Sequence, residues 1–123
     1  MPTILDAVGI AIPARVQGSS RIPNILKGDV GWKEPVFIEN IPHEPLEGKR
    51  VVERAVRTER WKLILRDHSR SELYEMAADP AEKNDLFLYP DFAPHVKELA
   101  RLIFDWGKRF DDAVSVELGQ KIA

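Results

Sequence analysis

The sequence predicts an α+β fold, in which a small antiparallel sheet of three to four strands packs against a long C-terminal α-helix. Two observations predict it: apolar and polar residues alternate over residues 50–67, and an apolar stripe at helical spacing covers residues 92–110. Strands followed by a long helix, without strict strand–helix alternation, are typical of this class. A short helix and a loop-rich connector are expected before the sheet.

The first 35 residues predict that short helix and connector. The segment 2–10, PTILDAVGI, places Ile4, Leu5 and Val8 on one helical face, and Gly9 follows where a helix would end. Proline and glycine recur between residues 13 and 35, which predicts an extended connector. We therefore expect residues 1–35 to be a connector and residues 36–123 to be the sheet-and-helix subdomain.

Three segments predict the strands. The apolar run 36–39, VFIE, does not alternate, which predicts a strand that is covered on both faces. Within 50–67 the alternation appears on both sides of Thr58-Glu59-Arg60, which predicts a hairpin. The segment 71–76, SELYEM, predicts a further strand that ends before Asp79-Pro80.

The last predicted element is an amphipathic helix with Asp91 as its N-cap. Its stripe is too short for a coiled-coil seam to be the favoured interpretation, so we expect it to pack on the sheet. The apolar residues that form the stripe, at spacings of three and four, are Phe92, Val96, Leu99, Ile103, Trp106 and Phe110.

Composition limits the possible functions. A chain of 123 residues fits one domain, and 18 Lys and Arg against 20 Asp and Glu leave a net charge of -2, which gives no overall field for nucleic acid. The absence of cysteine excludes disulfides, thiolate metal sites and a cysteine nucleophile. No apolar run approaches the ~20 residues of a membrane span. We expect a soluble protein without a nucleic-acid or membrane partner, whose compartment the sequence does not give.

Few residues suggest catalysis or metal binding. Asp67 and His68 are adjacent and could form an acid–base pair or a solvated turn. Asp91 and His95 are four residues apart on one helical face, where they could hold a metal or be an N-cap and a surface histidine. The second interpretation is favoured in both cases, so no metal site and no catalytic residue is expected in this chain.

Positive charge gathers on the predicted hairpin, with Trp61 among the cations. Interleaved Glu47, Glu53 and Glu59 cancel most of the field, so a solvated sheet face is favoured over contact with an anionic substrate or partner. The cations are Lys49, Arg50, Arg54, Arg57, Arg60, Lys62 and Arg66.

Three segments in the same order resemble type I sulfatases of the alkaline-phosphatase-like superfamily. MPTILDAVGIAIPARVQGSSRIPNILKG is similar to the stretch that follows the catalytic core in that family. ERAVRTERWKLIL resembles its R-x-[VI]-R-T-x-x-[YW]-K-[LY]-I strand pair, and ELYEMAADPAEKNDLF resembles its E-L-Y-D-L-x-x-D-P-x-E-x-x-N-L signature. The resemblance covers nearly the whole chain.

The resemblance implies calcium and a formylglycine in a catalytic domain that this sequence does not contain. The segment 11–15, AIPAR, only mimics the C-x-P-x-R formylglycine motif, because Ala11 stands at the modified position. The chain is therefore expected to be the C-terminal fragment of a sulfatase-like hydrolase of sulfate esters or related phosphate or phosphonate esters. It would be structural, shape the substrate cleft and be inactive alone. The parent is expected to be periplasmic or secreted.

If side chains of this chain reach the cleft, we expect them to be His43, in the loop 40–49, and Arg54 or Arg57 on the strand pair. The partner would be the catalytic domain, and the parent's substrate an anionic sulfate ester.

A different hypothesis is a stand-alone module that self-associates through an apolar patch of Ile4, Leu5, Val8 and Ile10. An independent small enzyme using Asp67–His68 or Asp91–His95 is the least favoured interpretation.

Overall fold

The computed structural model of this protein describes residues 1–28, 33–41 and 51–123. The chain divides into two compact units, residues 1–32 and 33–123. The predicted division into a connector over 1–35 and a subdomain over 36–123 stays a prediction about the organisation of the protein. Within the described ranges, no helix combines the length and the apolar character needed to cross a membrane.

The first unit contains two short helices, α1 (Pro2–Ala7) and α2 (Ile22–Lys27). Helix α1 has a proline in its first turn, where a missing N–H is tolerated, and Gly9 follows it with a φ of 73°. Gly28 ends α2 in the left-handed conformation that glycine adopts most readily. The predicted short first helix is therefore confirmed, and a second helix interrupts the predicted connector.

The second unit contains a four-stranded antiparallel sheet in the order β1-β2-β3-β4. Its strands are β1 (Val36–Asn40), β2 (Glu53–Arg57), β3 (Trp61–Arg66) and β4 (Glu72–Glu75). Strands β2 and β3 form the predicted hairpin, with Val56 paired to Leu63. The Thr58 hydroxyl accepts a hydrogen bond from the Trp61 N–H at 3.0 Å, which closes a turn that contains no glycine.

One face of the sheet carries the main core. Because side chains alternate along a strand, Val56 of β2, Leu63 and Leu65 of β3 and Leu73 of β4 all point to this face and are buried. They pack against helix α3 (Ala93–Phe110), which contributes Val96, Leu99, Ala100 and Ile103 to the same cluster. Phe37 of β1 stacks on Trp106 with ring centroids 5.3 Å apart. The predicted α+β fold class is confirmed.

A second C-terminal helix, α4 (Ala113–Gln120), follows α3 and was not predicted. The two helices approach closely because glycines replace side chains where they meet. A Cβ at Gly107 would lie 2.6 Å from the Ser115 Cβ, and one at Gly119 would lie 2.8 Å from the Ala100 carbonyl oxygen and the Phe104 Cβ. Asp111 has a φ of 58° and lies between the helices, where the chain reverses.

The prediction that β1 is covered on both faces is wrong. Strand β1 is at an edge of the sheet, and Val36 and Ile38 remain 47% and 43% exposed on the face opposite α3. Only Phe37 packs against the helices, through Trp106. An apolar run without alternation thus occurs here in an edge strand with one packed face.

The prediction that Asp91 is the N-cap of the long helix is also wrong. Pro90–Phe92 forms a 3₁₀ turn, and α3 begins at Ala93 with Phe92 at the N-cap position. Pro94 is in the first turn of α3, where its missing N–H breaks no helical hydrogen bond. The helix therefore begins two residues beyond Asp91.

Substitution of Gly119 by alanine should lower the free energy of unfolding by about 1–3 kcal/mol, because the new methyl group overlaps the α3 backbone. Urea denaturation of the purified chain measures the change. Gln120→Ala, at the neighbouring exposed position, should change the free energy by less than about 0.5 kcal/mol. A Gly119→Ala variant as stable as Gln120→Ala would contradict the close approach of α3 and α4.

Candidate functional site

Arg54 is the most deeply buried of the described residues of the basic cluster, with 4% of its surface exposed. It shares a face of β2 with Val56 and points toward the start of α4. Its Nε donates to Asp112 Oδ2 at 2.7 Å, and its Nη2 donates to Asp112 Oδ1 at 3.1 Å. Its Nη1 donates to the Glu53 carbonyl at 2.9 Å, and the Glu39 Oε2 lies 3.8 Å from its Nη2. Each of the three guanidinium nitrogens thus donates a hydrogen bond to a protein oxygen.

Asp112 has two roles, because it is also the N-cap of α4. Its Oδ2 accepts hydrogen bonds from the Ser115 backbone N–H at 3.2 Å and from the Ser115 hydroxyl. The hydrogen bond from Arg54 is the largest cause that lowers the pKa of Asp112 from 3.8 to about 2, with partial burial opposing it. The hydrogen bond with Asp112 likewise raises the pKa of Arg54. The pair therefore stays ionised across the physiological range of pH.

The other described cations of the cluster, apart from Arg57, are paired with carboxylates. This neutralisation favours the predicted solvated sheet face over a general anion-binding face. The nitrogen–oxygen distances are 2.7–2.9 Å in the pairs Arg60–Glu75, Lys62–Glu82, Arg66–Glu53 and Arg66–Glu72.

Arg57 differs from its neighbours. It is exposed at the end of β2, and its guanidinium forms no ion pair or hydrogen bond with any residue that the structure describes. It lies opposite Lys62 in the β2–β3 register, on the face away from α3. Lys62 is itself paired with Glu82, so among the described cations of this strand pair Arg57 is the one without a described partner.

The outer face of the sheet, opposite α3, carries an open depression of ≈ 290 Å³. Ala55 and Ile64 form its apolar floor, and Arg57 lies two residues beyond Ala55 on the same face. Its rim combines opposite charges, which gives it no strong preference for one sign of ligand. The lining residues are Ile38, Glu39, Asn40, Glu53, Ala55, Lys62 and Ile64.

Asp67 and His68 lie in a turn that is stabilised by hydrogen bonds to the Asp67 carboxylate. The Asp67 carboxylate accepts hydrogen bonds from the Val52 N–H at 2.9 Å and the His68 N–H at 2.8 Å. Partial burial acts to raise the pKa of Asp67, but these backbone hydrogen bonds leave it below its usual value. The imidazole is more than half exposed and lies 3.7 Å from the carboxylate. This geometry supports the solvated-turn interpretation of the pair.

His95 packs against the sheet and not against Asp91. Its ring stacks on Trp61 with centroids 4.4 Å apart, and its Nδ1 is 4.0 Å from Glu98. Phe92 contacts the same Trp61 ring edge-on. In the described ranges, no three His, Asp or Glu side chains come together in a way that could hold a metal ion. The residues described here therefore do not fit a calcium site.

The predicted substrate-binding residues are thus placed differently from one another. Arg54 faces α4, and Arg57 lies on the outer face of the sheet. His43 lies outside the described residues, as do Lys49 and Arg50 of the basic cluster. Substrate contact by His43, Arg54 or Arg57 stays a prediction.

The sequence model of the family described as "N-sulphoglucosamine sulphohydrolase, C-terminal" matches residues 1–108 of this chain. The chain belongs to this family. The resemblance to sulfatases is therefore confirmed, and this protein is a sulfatase C-terminal domain.

Individual sulfatases match the domain over most of its length. It is 32% identical over 116 residues to the N-acetylglucosamine-6-O-sulfatase of Bacteroides thetaiotaomicron, a match that covers 90% of the domain and 21% of that protein. It is 31% identical over 113 residues to the Delta 4,5-hexuronate-2-O-sulfatase of the same organism, with 91% and 23% covered. The domain thus spans less than a quarter of the length of these relatives.

Solved structures share the fold. One shows a protein in complex with its substrate D-glucosamine-2-N,6-O-disulfate, with a TM-score of 0.72 and 30% identity over 91% of the domain and 24% of that chain. Another is a 2-O GAG sulfatase, with a TM-score of 0.70 and 30% identity over 90% of the domain and 24% of that chain.

Asp112→Asn should lower the free energy of unfolding by about 3 kcal/mol, because it leaves the buried Arg54 charge without its carboxylate. The change is measured by urea denaturation at neutral pH. Asp105→Asn is the matched control, because Asp105 forms an ion pair with Arg101 at the exposed surface. This substitution should lower the free energy of unfolding by less than about 0.5 kcal/mol. Equal losses in the two variants would show that the Arg54–Asp112 pair has no special role.

The stabilisation from Asp112 should depend on pH. Because folding lowers the pKa of Asp112 from 3.8 to about 2, its contribution is present above the unfolded-state value and is lost as the pH falls through the folded-state value. The contribution is on the order of 2 kcal/mol. The difference in unfolding free energy between the wild type and Asp112→Asn should therefore shrink between about pH 4 and pH 2. A difference that stays constant over this range would contradict the depressed pKa.

Proposed function

We propose that this domain is the non-catalytic C-terminal subdomain of a sulfate ester hydrolase, in which it packs beside the catalytic part and forms one wall of the substrate cleft. Its family membership and the sulfatase activities named for its relatives support this proposal. The domain matches about a fifth of the length of those relatives, which leaves most of each sulfatase outside the matched region. A periplasmic or secreted location belongs to the proposal and rests on the family resemblance alone.

The observation that carries the cleft-bordering role is the placement of Arg57. A guanidinium without a described partner, beside an open depression, can donate paired hydrogen bonds to a sulfate or carboxylate group. Arg54 supports the same surface from the opposite face of β2, because its pair with Asp112 fixes the strand against α4. His43 is a further candidate contact on the basis of the sequence alone.

Hydrolysis of a sulfate ester requires a nucleophile, a cation that stabilises charge on the sulfuryl oxygens, and a proton donor for the leaving alcohol. The family resemblance assigns the formylglycine nucleophile and calcium to the catalytic part. Among the described residues of this domain, no group of three or more His, Asp or Glu side chains could hold such a cation. We therefore propose that this chain binds substrate and supports the cleft, while the chemical steps take place in the catalytic part.

The purified chain should release no sulfate from p-nitrophenyl sulfate or glucosamine 6-sulfate in the presence of calcium, measured against a protein-free blank.

In the complete sulfatase that carries this domain, Arg57→Ala should raise KM about 10-fold with little change in kcat, because it removes one charged hydrogen-bond donor from the cleft wall. Lys97→Ala, at an exposed position on α3, is the matched control and should leave KM unchanged.

Two results would overturn this proposal. One is turnover by the chain alone that is lost when Asp67 or His68 is substituted, since that would place catalysis within this chain. The other is an unchanged KM in Arg57→Ala, which would remove Arg57 from the cleft while leaving the family membership intact.

We propose self-association as a second candidate function, because the first unit exposes apolar side chains. Ile4, Val8 and Ile10 are 64%, 64% and 57% exposed, whereas Leu5 is half-buried. Three of the four residues of the predicted patch thus present apolar surface to solvent. Exposed apolar side chains of this kind favour association with another chain where they form a continuous patch.

Sedimentation velocity at micromolar concentration tests this second candidate. The chain should sediment as a dimer, and Ile4→Lys or Val8→Lys should shift it toward the monomer, because a buried lysine opposes association. Leu88→Lys is the matched control, since Leu88 is equally exposed but belongs to the other unit. A wild-type chain that sediments as a monomer would exclude this function.

A further inference from the structure

We draw no further inference here: the strongest candidate, the partly apolar outer face of the sheet around Ile38, Ala55 and Ile64, carries nothing beyond the proposed cleft wall because nothing in the structure shows what covers it.

Discussion

The Arg54–Asp112 pair is the interaction on which the C-terminal half of this domain depends. It joins the second strand of the sheet to the N-cap residue of α4, and the two residues are 58 positions apart in the chain. Removing the charge of Arg54 from water costs free energy. The bidentate hydrogen bonds to the Asp112 carboxylate and the hydrogen bond to the Glu53 carbonyl offset this cost. Asp112 provides this carboxylate and also caps α4. One side chain therefore stabilises both the start of the helix and its packing against the sheet.

The two glycines at the α3–α4 contact extend this constraint. Gly119 leaves room for the Ala100 carbonyl and Phe104, and Gly107 leaves room for Ser115. Glycine lowers the intrinsic stability of a helix, but here it allows the close packing that a larger residue would prevent. The polar pair at the start of α4 and the close backbone contact near its end together fix this helix in one position.

The sequence predicted the elements whose signals are local. Alternation over 50–67 identified the hairpin, and the apolar stripe identified α3, because both patterns follow directly from the geometry of a single element. Helix α4 was missed, although Asp112 as an N-cap followed by Val114, Leu118 and Ile122 at spacings of four was a usable signal. The partner of Arg54 was beyond prediction, because no local pattern relates residues so distant in the chain. The opposite placements of Arg54 and Arg57 follow from side-chain alternation, because the two residues are three positions apart in the same strand, and this signal was present in the sequence once β2 was assigned.

The aromatic contacts between α3 and the sheet place two tryptophans where their spectroscopic signals depend on the packing of this helix. The Trp61 indole stacks on His95 and the Trp106 indole stacks on Phe37, so each ring bridges the helix and a strand. Separation of α3 from the sheet changes the surroundings of both chromophores at once. Two of the three tryptophans in the sequence lie in this contact, so part of the tryptophan emission and of the near-ultraviolet circular dichroism of the unlabelled polypeptide follows its integrity.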